Sequence, residues 1–573
     1  MQILFYIVNV SLKFTKTLFF YLFILKNSIS FRNPNSFERS FSYLTQSPVH
    51  LNLNTKFSLN LFSKTDQRYL ITSPLFYLNG PPHLGHAYTL VSSDVLKRFL
   101  ILSGYECKLL VGTDEHGSKI KLTSSNLGYS PKQYVNLMRN HYYELYKQYD
   151  ISPDIVVHTS ENDHKSKVKD VFNSFVRSGF IYRGLHKGYF SPKEDLYYTE
   201  SKLIDGKSPL GFEVSQVNEP AYFFKLSSWR EKLIDFFKES VIKPNHSLIE
   251  VRKSLESDLN DIAISRSNCD WGIPINIMNN GETDQNETVC NETVCNETVS
   301  NETVYVWFDA LLGYLTHFNS FPQLQDQELK NLKLIHVIGK DILTFHSLLW
   351  PSILMALDIQ VPIKLLVHGW LLNKGEKISK SLGNVSNLEP QLSDVSRFAL
   401  MSLGDFSSDF EFDSSIFDNS IKILRNKFAN TFYRITSLLH NHKLDSVLPT
   451  NTDHELINKF HLYTVNITKY MESFRIDKYI QVLMEMSSEV NRFIELNQIW
   501  TMGTCELLQI SWLLCTLLFY ISVYLSPITP KLSNDMISRL NPQLNQNTIS
   551  PSFNIFNNIQ HISYYPQHLN ILI

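Results

Sequence analysis

The chain has 573 residues, 43 % hydrophobic and 19 % charged, with a formal net charge of −2. This length predicts roughly three to four domains, and the apolar content excludes a disordered chain. The near-neutral charge excludes a uniformly basic surface, so any contact with nucleic acid has to rest on local patches.

The six cysteines are Cys107, Cys269, Cys290, Cys295, Cys505 and Cys515, and none forms a Cys-x-x-Cys pair. That spacing argues against a structural zinc site and, at this size, against a disulfide framework. In chain order, residues 1–66 come first and read as a targeting leader with a linker. Lys13, Lys16, Lys26 and Arg32 precede the first acidic residue, Glu38. Two apolar runs, Ile3–Val10 and Thr17–Leu25, are each too short to span a bilayer. A basic, acid-free, Ser/Asn-rich start is the pattern of a targeting sequence, with a membrane anchor as the alternative. The two runs suit a plastid reached through the secretory route, and one-step mitochondrial import fits equally.

Order is expected from Arg68. Tyr69–Ser73 reads as a strand, ended by Pro81 and Pro82. Leu90, Val91, Val95, Phe99 and Leu102 recur at helical spacing and predict a helix over Gly85–Ser103. Gly104 is its stop. Lys108–Gly112 is a short buried-strand signal, and strand–helix–strand at this spacing is a parallel βαβ unit. Between 280 and 304, Asn-Glu-Thr-Val occurs four times, separated by Cys290, Cys295 and Ser300. This low-complexity stretch reads as a surface loop expansion whose glycosylation sequons are accidental. A second α/β stretch follows, with a strand at Lys333–Ile338 and a helix at Phe345–Leu357. Beyond about 415 the pattern is long amphipathic helices without strand signals, which predicts a bundle.

Two elements carry chemistry. His83-Leu84-Gly85-His86 lies where a strand turns into a helix. A helix N-terminus favours phosphate through its free N–H groups and dipole, Gly85 permits close approach, and the imidazoles can donate to phosphate oxygens. Taken alone, such a motif is more often a packing or turn feature. Lys377-Ile378-Ser379-Lys380-Ser381, after Asn373-Lys374-Gly375, can clamp a triphosphate; alone it is equally a solvated basic loop. The pair, far apart and each following a strand-like segment, is much more specific.

Together they resemble the two signatures of the class I aminoacyl-tRNA synthetases, with Leu84 and Ile378 as conservative departures. The text between them resembles the methionyl-tRNA synthetases. The matching stretches are Gly112-Thr113-Asp114-Glu115-His116-Gly117; Ile264-Ser265-Arg266 with Trp271-Gly272-Ile273-Pro274; Val306-Trp307-Phe308-Asp309-Ala310; and Ile338-Gly339-Lys340-Asp341-Ile342 with Phe345-His346 and Trp350-Pro351. The resemblance runs from 68 to about 540. It implies an α/β Rossmann-like catalytic domain with a parallel sheet and a connective insertion, followed by an all-α anticodon-binding helical bundle. The implied division is 67–175 and 285–365 for the halves of the catalytic domain, 176–284 for an insertion without a zinc knuckle, 366–418 for the signature loop and stem-contact region, and 419–573 for the bundle.

The resemblance also implies the site residues. Methionine would be held by Leu75, Tyr77, Asp114, Trp307, Ala310, Tyr314, Phe345 and His346. An aromatic-walled pocket suits a polarizable thioether, and Asp114 can pair with the substrate ammonium. ATP would meet Asn79, His83, Gly85, His86, Gly339, Asp341, His368, Leu371 and Ser379. Lys377 and Lys380 would neutralise the pyrophosphate, and Arg266 would steady their loop. Asn430, Arg434 and Trp500 would read the tRNA(Met) anticodon, since unpaired bases are read by stacking and edge hydrogen bonds. Leu311 and Ile499 stand where many relatives have proline. ATP with Mg²⁺ is the expected cofactor, with no structural zinc: Gly188–Asp195, where many relatives place ligand cysteines, has none. The expected protein is a monomer without stable membrane association, in the mitochondrial matrix or a plastid stroma. The aliphatic-amino-acid synthetases need a longer insertion for editing, a small nucleotidyltransferase would lack the bundle, and a non-catalytic tRNA-binding relative would be expected to lose a signature residue.

Overall fold

Tyr69–Ser73 lies inside a longer strand, β1 (Arg68–Tyr77), buried on both faces from Leu70 to Ser73. Burial on both faces is the mark of a parallel sheet covered by helices on each side. The computed structural model describes residues 67–554 except 192–195, 199, 201–202, 210, 239–240, 258, 268, 276–301, 316–331, 360–362, 379–391, 449–453 and 544–551. The leader, most of the repeat, and Ser379, Lys380 and Ser381 therefore lie outside the described residues.

Helix α1 (Leu84–Leu102) follows β1, and Gly104 leaves it with φ 87°, a conformation that costs glycine little. Next come β2 (Glu106–Asp114), β3 (Ile155–His158), β4 (Ile242–Lys243), helix α2 (Val306–Leu312), β5 (Leu332–Gly339), helix α3 (Trp350–Ala356), β6 (Ile363–His368) and helix α4 (Ser393–Met401). The six strands form one parallel sheet in the order β3-β2-β1-β5-β6-β4. The winding reverses between β1 and β5. Such a switch point opens a crevice at the C-terminal ends of the strands. The β1–β2 register shifts between Thr72 and Leu75, where Pro74 has no N–H to give the ladder.

Three expectations need correction. First, the stretch 176–284 is not wholly an insertion. Strands Ile181–Ser191, Leu196–Tyr198, Ser215–Phe224 and Ile262–Ala263 do make a separate antiparallel sheet, but β4 returns to the main sheet beside β6. A two-residue strand before Pro244 carries no periodicity to read. Second, the helix expected over Phe345–Leu357 begins with a wide π turn, Phe345–Leu349. Pro351 has no N–H for the bond an α turn would make to residue 347. Third, short strands Ser446–Val447, Pro542–Gln543 and Ser552–Asn554 pair within the C-terminal part; two or three residues are too few for a strand signal.

That C-terminal part is otherwise helical: Asn430–Asn441, Glu455–Glu472, Ile476–Leu496, Thr504–Leu525 and Pro530–Leu540. Thr504–Leu525 is apolar and long enough to cross a membrane, yet it is mostly buried among its neighbours. One apolar core runs from α1 through α4 into these helices. Arg397 of α4, fully buried, pins the two parts together. It pairs with Asp94 of α1 at 2.7 Å and donates to the carbonyls of Ile528, Pro527 and Tyr149 at 2.9, 2.7 and 3.1 Å.

Candidate active site

At the switch point lies a cleft of about 310 Å³. The ends of β1, β2, β5 and β6, the start of α1, and α2 bring fifteen of the expected site residues to its lining. These are Leu75, Tyr77, His83, Gly85, His86, Asp114, Trp307, Ala310, Tyr314, Gly339, Asp341, His346, His368, Leu371 and Lys377.

The His83–His86 motif caps α1 reciprocally. His83 Nδ1 accepts from the Gly85 N–H at 3.1 Å, and His86 Nδ1 accepts from the His83 N–H at 2.9 Å. A ring nitrogen that accepts carries no proton, so both neutral rings are held as Nε2–H donors. The rings stand 3.8 Å apart. A Cβ at Gly85 would sit 3.0 Å from His83 Cε1, so this glycine makes room first for the motif's own imidazole. Thr89, one turn beyond Gly85 and His86, donates its hydroxyl proton to His368 Nε2 at 2.8 Å, with the Gly85 carbonyl 3.1 Å from the same oxygen. His368 Nδ1 donates to the Gly369 carbonyl at 2.7 Å. Burial holds this imidazole below its usual pKa, hence neutral.

Across the cleft, Lys377 pairs with Asp341 at 2.9 Å, and Trp370 donates its indole N–H to Asp341 at 3.2 Å. Partial burial works against the Asp341 carboxylate, but the Lys377 ammonium holds its pKa below the usual value. Lys377 and Lys340 both lie over the Trp370 ring, at 5.0 and 4.0 Å. The aromatic wall is Trp307 stacked on Phe345, centroids 4.1 Å apart and ring planes nearly parallel at 5°. Phe345 thus acts from behind Trp307. Asp114, 7 % exposed, ends β2 on the opposite side.

Behind this wall lies a buried polar group. Asp309, two residues along α2 from Trp307 and so on another face of the helix, accepts from His116 at 2.7 Å and from His164 at 2.5 Å. Burial alone would raise its pKa, but the two imidazoles bring it down to about 2. Glu115 is likewise buried; Arg139, Ser160 and His158 outweigh its burial and hold it well below the carboxylate range.

Some expected residues fall elsewhere. Asn79 flanks the cleft, its amide between Lys119 and the Tyr77 carbonyl at 3.2 Å each. Arg266 lies with its guanidinium 3.9 Å over the Phe190 ring of the antiparallel sheet; the lysine loop that it is expected to steady lies, from Ser379 on, outside the described residues. Nothing in its local sequence marks that stacking. Asn430 and Arg434 lie on one helix of the C-terminal part, half-buried and exposed respectively. Lys427, in the π turn Leu424–Ala429 just before that helix, donates to Ser488 at 3.2 Å. Trp500 is 52 % exposed beside the buried Ile499. Thr89 was missed, although its helical spacing from His86 was a usable signal. His336 and Thr72 had no such signal, since they meet only through strand register.

Comparison with known proteins agrees with this architecture. The family described as tRNA synthetases class I (M) matches residues 69–218 and 201–436, and the anticodon-binding domain of tRNA ligases matches 453–564. The methionine–tRNA ligase of Rickettsia conorii is 32 % identical over 500 residues, spanning 82 % of this chain and 92 % of that protein. That of Caldanaerobacter subterraneus is 30 % identical over 492 residues, spanning 82 % and 74 %. The fold resembles Mycobacterium tuberculosis methionyl-tRNA synthetase in complex with methionyl-adenylate, with TM-score 0.75, 23 % identity, and 86 % and 98 % of the two chains covered. The chain belongs to the class I tRNA synthetases of the methionine group.

Proposed function

We infer that the chain is a methionine–tRNA ligase that works in an organelle. The observation that carries the ligase reading is one cleft holding an aromatic wall, a carboxylate and two oriented imidazoles, with a lysine at its rim. Methionine's side chain would lie against Trp307, Ala310, Tyr314 and His346, with its ammonium on Asp114. Its carboxylate oxygen attacks the α-phosphorus of ATP. The bond to the β-phosphate bridge breaks, pyrophosphate leaves, and methionyl-adenylate remains. The Nε2–H groups of His83 and His86 stabilise the charge that builds on the phosphates. Lys377 exchanges Asp341 for the departing pyrophosphate, which leaves Asp341 to the ribose. A terminal ribose hydroxyl of the tRNA then attacks the activated carbonyl and releases AMP.

No side chain acts as a covalent nucleophile; the protein contributes positioning and charge. Among the described residues no three His, Cys, Asp or Glu converge to cage a cation, so Mg²⁺ would arrive on the ATP phosphates and keep water ligands. Asn430, Arg434 and Trp500 are assigned to the anticodon, and Ser379 and Lys380 to ATP with Lys377. The basic, acid-free start supports delivery to a mitochondrion or plastid, and the protein is taken as a monomer.

ATP–pyrophosphate exchange with each amino acid in turn tests the reading. Exchange with methionine is expected; exchange with another amino acid instead, or with none, refutes it. A fusion of residues 1–66 to a fluorescent protein tests the compartment, and diffuse cytosolic signal would refute it.

A further inference from the structure

Past Asp114 the sheet no longer holds the chain. Asp114 is the last residue of β2. The ladder with β1 ends at Tyr77 and Asp114, and the ladder with β3 ends one residue earlier, at Thr113 and His158. Other bonds take over from there. The Asp114 carbonyl accepts from the Leu78 N–H at 3.0 Å. The Glu115 N–H donates to Thr159 Oγ1 at 2.9 Å, and the Trp271 indole N–H donates to the Glu115 carbonyl. The Gly117 N–H in turn donates to the Trp271 carbonyl at 2.8 Å.

The Glu115 side chain anchors this turn. It is fully buried, and its two oxygens take four donors. Oε1 accepts from Arg139 Nε at 2.6 Å and from Thr113 Oγ1 at 2.7 Å. Oε2 accepts from Arg139 Nη2 at 2.6 Å and from Ser160 Oγ at 2.5 Å. That fills the acceptor capacity of a carboxylate, and the fork-to-fork pair fixes its plane as well as its distance. Arg139, on the helix Pro131–Gln148, is itself held by Glu161 at 2.7 Å.

A buried ion pair gains little over apolar packing of the same volume, because both charges give up their water; what it supplies is one fixed geometry. Here that geometry is imposed on the residue next to Glu115. Asp114 lines the cleft, whereas Glu115, Arg139 and Trp271 are not among the residues that line it.

We propose that Glu115, Arg139 and Trp271 are positioning residues: they hold the turn after β2 from behind and from above, so that Asp114 presents its carboxylate to the ammonium group of the amino acid. This rests on the methionine reading above. Glu115 is buried too deeply to meet the substrate and acts through its neighbour. Loosening the clamp therefore harms recognition of the ammonium and spares the rest of the ligand.

Two substitutions loosen it from different sides. Glu115→Gln keeps the shape of the side chain but turns an NH₂ towards donors. Trp271→Phe keeps a ring and removes only the indole N–H. The probes are methioninol and its deamino analogue, an alcohol that differs only in lacking the amino group. Neither has a carboxylate, so neither can be activated. Their inhibition constants against methionine are measured in pyrophosphate exchange for the wild type, Glu115→Gln, Trp271→Phe, Asp114→Asn and the double variant Asp114→Asn/Glu115→Gln.

The constant for methioninol is expected to rise about tenfold in Glu115→Gln and in Trp271→Phe, the order of one misplaced charge-assisted bond. The constant for the deamino analogue and KM for ATP stay at wild-type values. In the Asp114→Asn background Glu115→Gln adds nothing further, since its effect passes through the Asp114 carboxylate. An equal rise for both inhibitors, an unchanged methioninol constant in both single variants, or an additive rise in the double variant overturns the proposal. If Glu115→Gln does not fold, Arg139→Lys, which keeps the charge and gives up the fork, takes its place in the same comparison. Wild-type enzyme that binds methioninol no better than its deamino analogue, or that shows no methionine-dependent exchange, would instead refute the reading on which the proposal rests.

Discussion

Replacing Asp309 by Asn tests whether a residue outside the cleft sets its shape. The carboxylate is 1 % exposed and accepts from His116 and His164 at 2.7 and 2.5 Å. Its pKa falls from 3.8 to about 2, a shift worth about 2 kcal/mol at neutral pH. The sign is that of a depressed carboxylate: the stabilisation is present above pH 3.8 and is lost as pH falls towards 2. An amide can accept from one imidazole, but its NH₂ then faces the other. That ring loses its acceptor or has to move its proton, which adds to the cost. The expected destabilisation is about 2 to 4 kcal/mol at pH 7. Because Asp309 lies on α2 between Trp307 and Ala310, two residues from the one and next to the other, the damage should reach the amino acid before the nucleotide. Exchange kinetics should show KM for methionine raised about tenfold, a cost of about 1.4 kcal/mol, with KM for ATP nearly unchanged. Thermal melting should show a gap between wild type and variant at pH 7 that narrows at pH 3. A wild-type methionine KM together with an unshifted melting curve would refute the reasoning.

His86→Ala removes one Nε2–H donor and one half of the α1 cap. It should slow adenylate formation roughly 10²- to 10³-fold with tRNA binding intact, as read by pyrophosphate exchange and filter binding. Arg397→Met leaves Asp94 buried without one of its partners and should destabilise the protein by about 3–5 kcal/mol; a melting curve like the wild type's would count against the pinning role. Trp500→Ala should weaken tRNA(Met) binding by about 1–3 kcal/mol, the value of one stacked base, while exchange without tRNA is preserved. Equal tRNA affinity for the variant would remove Trp500 from the anticodon.

Local chemistry was legible in the chain alone. The first βαβ unit, the stop at Gly104 and the His83–His86 motif follow from periodicity and motif, because each is set by residues adjacent in sequence or by a pattern that repeats along one element; most of the cleft lining was implied by the family resemblance. The repeat around 290 and the basic, acid-free stretch before Glu38 were equally plain as sequence. What the sequence did not carry is which distant atoms meet. β4 joins the main sheet on two residues, too short for a pattern. Arg266 stacks on Phe190 of another strand. Lys377 meets Asp341 across the cleft, and the Thr72–His336 pair exists only because β1 and β5 lie in one register. A single-residue slip would turn every side chain to the other face, so tertiary packing alone decides these partners, and with them the protonation of each imidazole around the cleft. The motif at His83–His86 suggested a phosphate-binding turn in sequence, but which ring nitrogen accepts was chosen by the fold, through the two backbone N–H groups that meet Nδ1 of each ring.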